Sequence, residues 1–126
     1  MTSGLGTELS SDADLCSAVL GEQLTAYVAG ADSVAEFRSL LAGTDDEVRR
    51  QLTPRLAAAR HVILAFRAEN KVAMARPWLR EVGAAGDDAP ARLIRAKGDD
   101  EGTASTVVQA AKAWVSRRRP QPTVAA

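Results

Sequence analysis

The chain has 126 residues, 46% hydrophobic but only 4% aromatic, and its 16 basic and 16 acidic residues cancel to zero net charge. This length holds one domain or two very small ones, with a core built from Leu, Val and Ala rather than from rings. Close-packed alanine-rich helices each bury little area, so only modest stability is expected of the isolated fold.

The single Cys16 excludes an intramolecular disulfide. Its apolar neighbours Leu15, Ala18 and Val19 make it buried packing rather than a nucleophile. No apolar run approaches the roughly 18 residues of a membrane span. Met1 to Ser10 lack the basic and apolar regions of a signal peptide, so a soluble, cytoplasmic protein is expected. The charge is unevenly spread: residues 1–60 carry an acidic excess and residues 61–126 a matching basic one. A nucleic-acid footprint centred on the N-terminal half is therefore disfavoured.

In chain order, residues 1–10, rich in Gly, Thr and Ser, read as a disordered leader. Leu15, Val19, Leu20, Leu24 and Val28 recur at helical spacing from about Ala13 to Ala29, with Gly21 able to divide the segment. Gly30-Ala31-Asp32 breaks it. Ser33 then caps a helix to about Ala42, with Val34, Phe37 and Leu41 inward and Gly43 as its stop. Helix, short glycine-containing turn and helix is the layout of a helix-turn-helix, and equally of any αα-hairpin.

Thr44 to Glu47 has the spacing of a capping box, and Pro54 is expected to restart the helix that follows. Leu52, Leu56, Ala59, Ile63 and Phe66 then form the strongest helical stripe in the chain, with the sole His61 off it. A helix over about 71–82 is expected with Asn70 as its cap and Pro77 kinking or restarting it. After a turn at 83–88, Pro90 opens a short helix that Gly98 ends. A last helix over about 103–116 carries Val107, Val108, Ala111, Trp114 and Val115. No segment alternates as a strand does, so the fold is all-α. Four regions are expected: the leader 1–10, a helix-turn-helix-like region with its connecting helix over 11–67, a compact helical region over 68–116, and a basic tail over 117–126.

No nucleophile–base pair or metal-ligand set is evident, so neither an enzyme nor a metal or cofactor site is expected. Asp87-Asp88 and Asp99-Asp100-Glu101 precede helix starts, where capping and the helix dipole account for them. Trp78 and Trp114 suit either core packing or an interface anchor.

The run Leu20-Gly21-Glu22-Gln23-Leu24-Thr25-Ala26-Tyr27-Val28-Ala29-Gly30 precedes a helix ending Leu40-Leu41-Ala42-Gly43. Further on come the Trp78-Leu79 pair, the Ala89-Pro90-Ala91-x-Leu93-Ile94 helix before Gly98, and the Val107 to Trp114 helix. Over roughly residues 14–116 this order resembles the Xre/MbcA/ParS-type antitoxins, in which a helix-turn-helix part precedes a small toxin-binding domain. The resemblance implies a homodimeric antitoxin that occludes a RES-type, NAD-degrading toxin and can bind its own operator DNA. The alternative is a helix-turn-helix transcriptional regulator of phage or bacterial origin without a toxin.

Candidate DNA contacts on the expected recognition helix are Ser33, Arg38 and Ser39. Candidate partner contacts are Trp78, Arg92, Leu93, Ile94, Trp114, Arg117, Arg118 and Arg119, the arginine run being suited to an anionic pocket. Two places depart from the family's pattern. The recognition helix has one arginine where several are usual, and Arg80-Glu81-Val82-Gly83 stands where a Pro-Asn pair often follows the Trp helix.

Overall fold

The computed structural model describes residues 4–43, 45–83 and 88–117. Among them are the α-helices α1 (Gly4–Leu20), α2 (Glu22–Ala29), α3 (Val34–Ala42), α4 (Asp46–Ala68), α5 (Ala75–Leu79), α6 (Pro90–Lys97) and α7 (Glu101–Arg117). A 3-10 turn over Val72–Met74 leads into α5, and the described residues contain no strand. The fold is all-α, and no helix among these residues is long and apolar enough to cross a membrane.

Glycine punctuates the N-terminal helices where the backbone needs it. Gly21, at φ 89°, separates α1 from α2. Gly30, at φ 97°, closes α2 while the following N–H, that of Ala31, reaches back to the Ala26 carbonyl at 3.0 Å. A side chain at either φ is strained. Ser33 caps α3 by accepting the Glu36 N–H at 3.0 Å, and Asp45 caps α4 through the N–H groups of Glu47 and Val48. The capping-box residue Thr44 lies outside the described residues. The leader expected over 1–10 is helical from Gly4 onward.

The restart expected at Pro54 does not occur: α4 is continuous through it. Proline there forfeits one backbone bond, at about 3 kcal/mol. The stripe on either side outweighs this, since Leu52, Leu56, Ala59, Ile63 and Phe66 are all buried and large apolar side chains gain about 1.5–3 kcal/mol each on burial.

Asn70 is not the cap of the next helix but the terminator of α4. It takes the left-handed conformation at φ 59°, its N–H meets the Arg67 carbonyl, and the Lys71 N–H meets the Phe66 carbonyl at 2.8 Å. That is a Schellman ending with asparagine in the position glycine usually fills. The helix expected over 71–82 is correspondingly shortened to the 3-10 turn and α5, and ends at Leu79.

One hydrophobic core runs from Ala13 to Val115. α7 packs along α4, α1 lies on another part of α4, and α6 docks against α2. The boundary expected between 67 and 68 thus passes through a shared core. At its centre the Phe66 ring meets Trp78 and Trp114 at centroid distances of 5.6 and 5.5 Å, both tilted. Tilted pairs suit the ring quadrupoles and add about 0.5–1.5 kcal/mol beyond burial.

Phe66→Ala is expected to cost about 3–5 kcal/mol by opening a cavity between the indoles. Urea unfolding monitored by tryptophan fluorescence measures this, and a loss under about 1 kcal/mol would contradict it. Thr25 carries the opposite expectation: its hydroxyl is fully buried with no hydrogen-bond partner among the described residues. Thr25→Val keeps the shape and removes that group, so the urea midpoint is expected to rise, by about 1 kcal/mol of stability.

Candidate functional site

The three expected DNA contacts lie at the α2–α3 hairpin, and two have structural employment. Ser33 accepts the α3 cap bond. Arg38 places Nη2 2.7 Å from each Glu22 carboxylate oxygen, spanning α3 to α2. The hydrogen bond to Glu22, reinforced by its charge, holds the Arg38 guanidinium even more firmly protonated than usual. The pair is exposed, so solvent screens it, yet any phosphate approaching Arg38 competes with a carboxylate already in place. Glu36 adds a carboxylate on α3 itself, accepting the Asp32 N–H at 2.6 Å. Ser39 is exposed.

The expected partner contacts divide differently. Trp78, Ile94 and Trp114 are buried, at 1%, 0% and 9% exposure, and belong to the core. At that burial they leave little or no side-chain surface open to a partner. Leu93 is half-buried and Arg92 exposed, with Asp88 Oδ1 3.7 Å from the Arg92 guanidinium. Arg117 is the last residue of α7, and Arg118 and Arg119 lie outside the described residues.

Of the acidic pairs, Asp100 is a true cap. Its Oδ2 accepts both the N–H and the hydroxyl of Thr103 at 2.9 Å, and the backbone bond above all holds its carboxyl below the ordinary value. Asp99 instead lies 3.4 Å from Arg55. α6 begins at Pro90 after Ala89, with no side-chain cap, so Asp88 does not act as one; Asp87 lies outside the described residues. His61 is exposed, and no group of three metal-ligating side chains occurs among the described residues.

Two arginines that the sequence left unremarked organise the join between the hairpin and α6. Arg95 donates from Nη1 to the carbonyls of Tyr27 (3.0 Å) and Ala31 (2.8 Å), and from Nη2 to Asp32 Oδ1 (3.0 Å). Its guanidinium also lies 4.8 Å over the Tyr27 ring. Arg55, buried in α4, donates from Nε to the Arg95 carbonyl at 3.0 Å and from Nη1 to the Gln51 carbonyl at 2.9 Å. Gly98 makes room for it, since a Cβ there would approach Arg55 Cγ to 2.8 Å. Partners more than sixty residues apart leave no local pattern, which is why Arg95 escaped notice.

Cys16 is fully buried, its thiol facing the Leu56 carbonyl at 3.8 Å. Burial, then the nearby Asp12 charge, push its pKa from 9.0 to about 12, against a smaller opposing effect of Arg60. Arg60 Nε lies 3.0 Å from Asp12 Oδ1, as an ion pair rather than an aligned hydrogen bond. The packing role expected of Cys16 fits this setting, since the thiolate is the reactive form.

No protein-family model, curated protein or solved structure matches the chain.

At pH 8, iodoacetamide is expected to alkylate Cys16 at least about a hundredfold more slowly in the folded chain than in urea, read by mass spectrometry. The linkage sign follows from a folded pKa above the unfolded one. The thiol's contribution to stability is intact below pH 9.0 and is lost as the pH rises towards about 12. Comparably fast alkylation in both states would show that the thiol is accessible.

Proposed function

We propose that the chain is a non-enzymatic binding protein: the antitoxin of a type II toxin–antitoxin pair, homodimeric, that holds a RES-type, NAD-degrading toxin inactive. The residues that carry the family resemblance support the assignment to an antitoxin. The observation that favours protein binding over DNA reading is the commitment of Arg38 to Glu22. It is the sole basic residue of α3, so the helix that would enter a major groove presents an arginine already ion-paired with Glu22 and the carboxylate of Glu36. Single good base contacts are worth about 1–3 kcal/mol, and one contested contact supplies little specificity. Promoter autoregulation is a secondary role in this reading.

Of the expected partner contacts whose side chains are described, Leu93 and Arg92 are the accessible ones. The test is to sequence the neighbouring reading frames for a RES-type toxin gene and co-express the chain with its product, scored by cell growth and cellular NAD. Wild type and Arg38→Ala are both expected to neutralise it, whereas Leu93→Asp is expected to lose neutralisation while keeping its helical circular dichroism. Absence of such a toxin gene would sink the assignment. Salt-sensitive binding of the promoter fragment that Arg38→Ala weakens tenfold or more, about 1.4 kcal/mol, would assign the chain instead to the DNA-binding regulators.

A further inference from the structure

The α2–α5–α6 face gathers arginines whose guanidinium groups have little or no partner among the described residues. Two adjoining hollows, of about 350 and 210 Å³, share Leu24, Tyr27 and Arg80. Arg76 lines the smaller, and Val82 and Arg92 line the larger. Among the described residues the guanidinium groups of Arg76 and Arg80 have no hydrogen-bond or ion-pair partner. Arg92 has only the long contact to Asp88. Arg76 lies across the α1–α2 bend, its Cζ 3.9 Å from where a Cβ at Gly21 would stand.

Between these cations lie Leu24, Tyr27 and Val82, with Gln23 in the smaller hollow and Asp88 in the larger. Val82 is 75% exposed and Tyr27 37%, two of the three large hydrophobic residues left open to solvent among the described ones. Unpartnered arginines beside an open tyrosine and an open aliphatic residue match the composition of protein interfaces, where Arg and Tyr anchor and an apolar patch is covered.

We propose that this face docks an acidic segment of a partner protein, with an apolar side chain entering the hollow at Leu24, Tyr27 and Val82 while flanking carboxylates meet Arg76, Arg80 and Arg92. Nucleic acid fits less well. A phosphate strand would leave the exposed Val82 uncovered, and base stacking on Tyr27 is limited because Arg95 lies over its ring. The inference rests on the reading of the chain as a protein-binding module, but not on the partner being a toxin.

The full chain is panned against a random dodecapeptide display library. The most enriched peptide, labelled with fluorescein, is then titrated by anisotropy, beside labelled oligothymidine. Enriched sequences are expected to carry clustered Asp or Glu around one large apolar residue. Arg76→Glu with Arg80→Glu is expected to weaken the peptide roughly a hundredfold, because like charges then face each other. Reversal of the remote, exposed Arg50 to Glu is expected to change it by less than about twofold.

Enrichment without acidic residues, or equal losses in the Arg76/Arg80 and Arg50 variants, overturns the proposal. So does oligothymidine binding that depends on Arg76 and Arg80 and exceeds that of the peptide. Should the double reversal lower the helical signal, Arg80→Ala and Val82→Ser, both at exposed positions, decide the matter in its place by each weakening the peptide or failing to. Failure to neutralise a RES-type toxin leaves the peptide result standing. Loss of acid-dependent peptide binding with neutralisation intact removes this face and spares the antitoxin reading.

Discussion

Everything in this fold leans on α4, and α4 leans on Phe66. A chain with so few aromatic residues packs one ring against both of its indoles, joining α4, α5 and the closing helix α7. The remaining core is Ala, Val, Leu and Ile, which pack closely but bury modest area apiece. Both tryptophans are consumed in this way, and whatever recognises a partner must therefore be built from other residues.

Charge is apportioned by the same economy. Arg38, Arg55, Arg60 and Arg95 each serve the fold, bound to Glu22, to Asp99 and backbone carbonyls, to Asp12, and to the hairpin carbonyls and Asp32. Arg76, Arg80 and Arg92 are exposed on a neighbouring face, and among the described residues little or nothing holds their guanidinium groups. A guanidinium that already satisfies a carbonyl or carboxylate is a poor ligand for an incoming phosphate, whereas an unpaired one loses less in changing partners. The contrast moves functional weight from the hairpin to the surface formed by α2, α5 and α6.

Much of the local structure was legible because its causes are local. Gly21, Gly30, Ser33, Gly43, Pro90 and Gly98 mark helix ends at or beside the positions where the helices break. The stripe through α4 announced the buried spine. The readings that failed did so where a local signal had two uses. Asn70 suits an N-cap and equally a left-handed terminator, and the Schellman bonds at the end of α4 chose the second. Pro54 suits a helix start, but the apolar residues on both sides kept the helix whole.

By itself the sequence determined the all-α class, the punctuation of most helices and the identity of the core stripe, because propensity, capping and periodicity act over a few residues. Only the tertiary structure decided which of two tryptophan roles applies, that the 11–67 and 68–116 regions share one core, and which arginines are spent. Those outcomes depend on partners such as Tyr27 and Arg95, separated by 68 residues, or Arg38 and Glu22, separated by 16. No local pattern encodes which charge finds which partner, since that follows from how the helices dock.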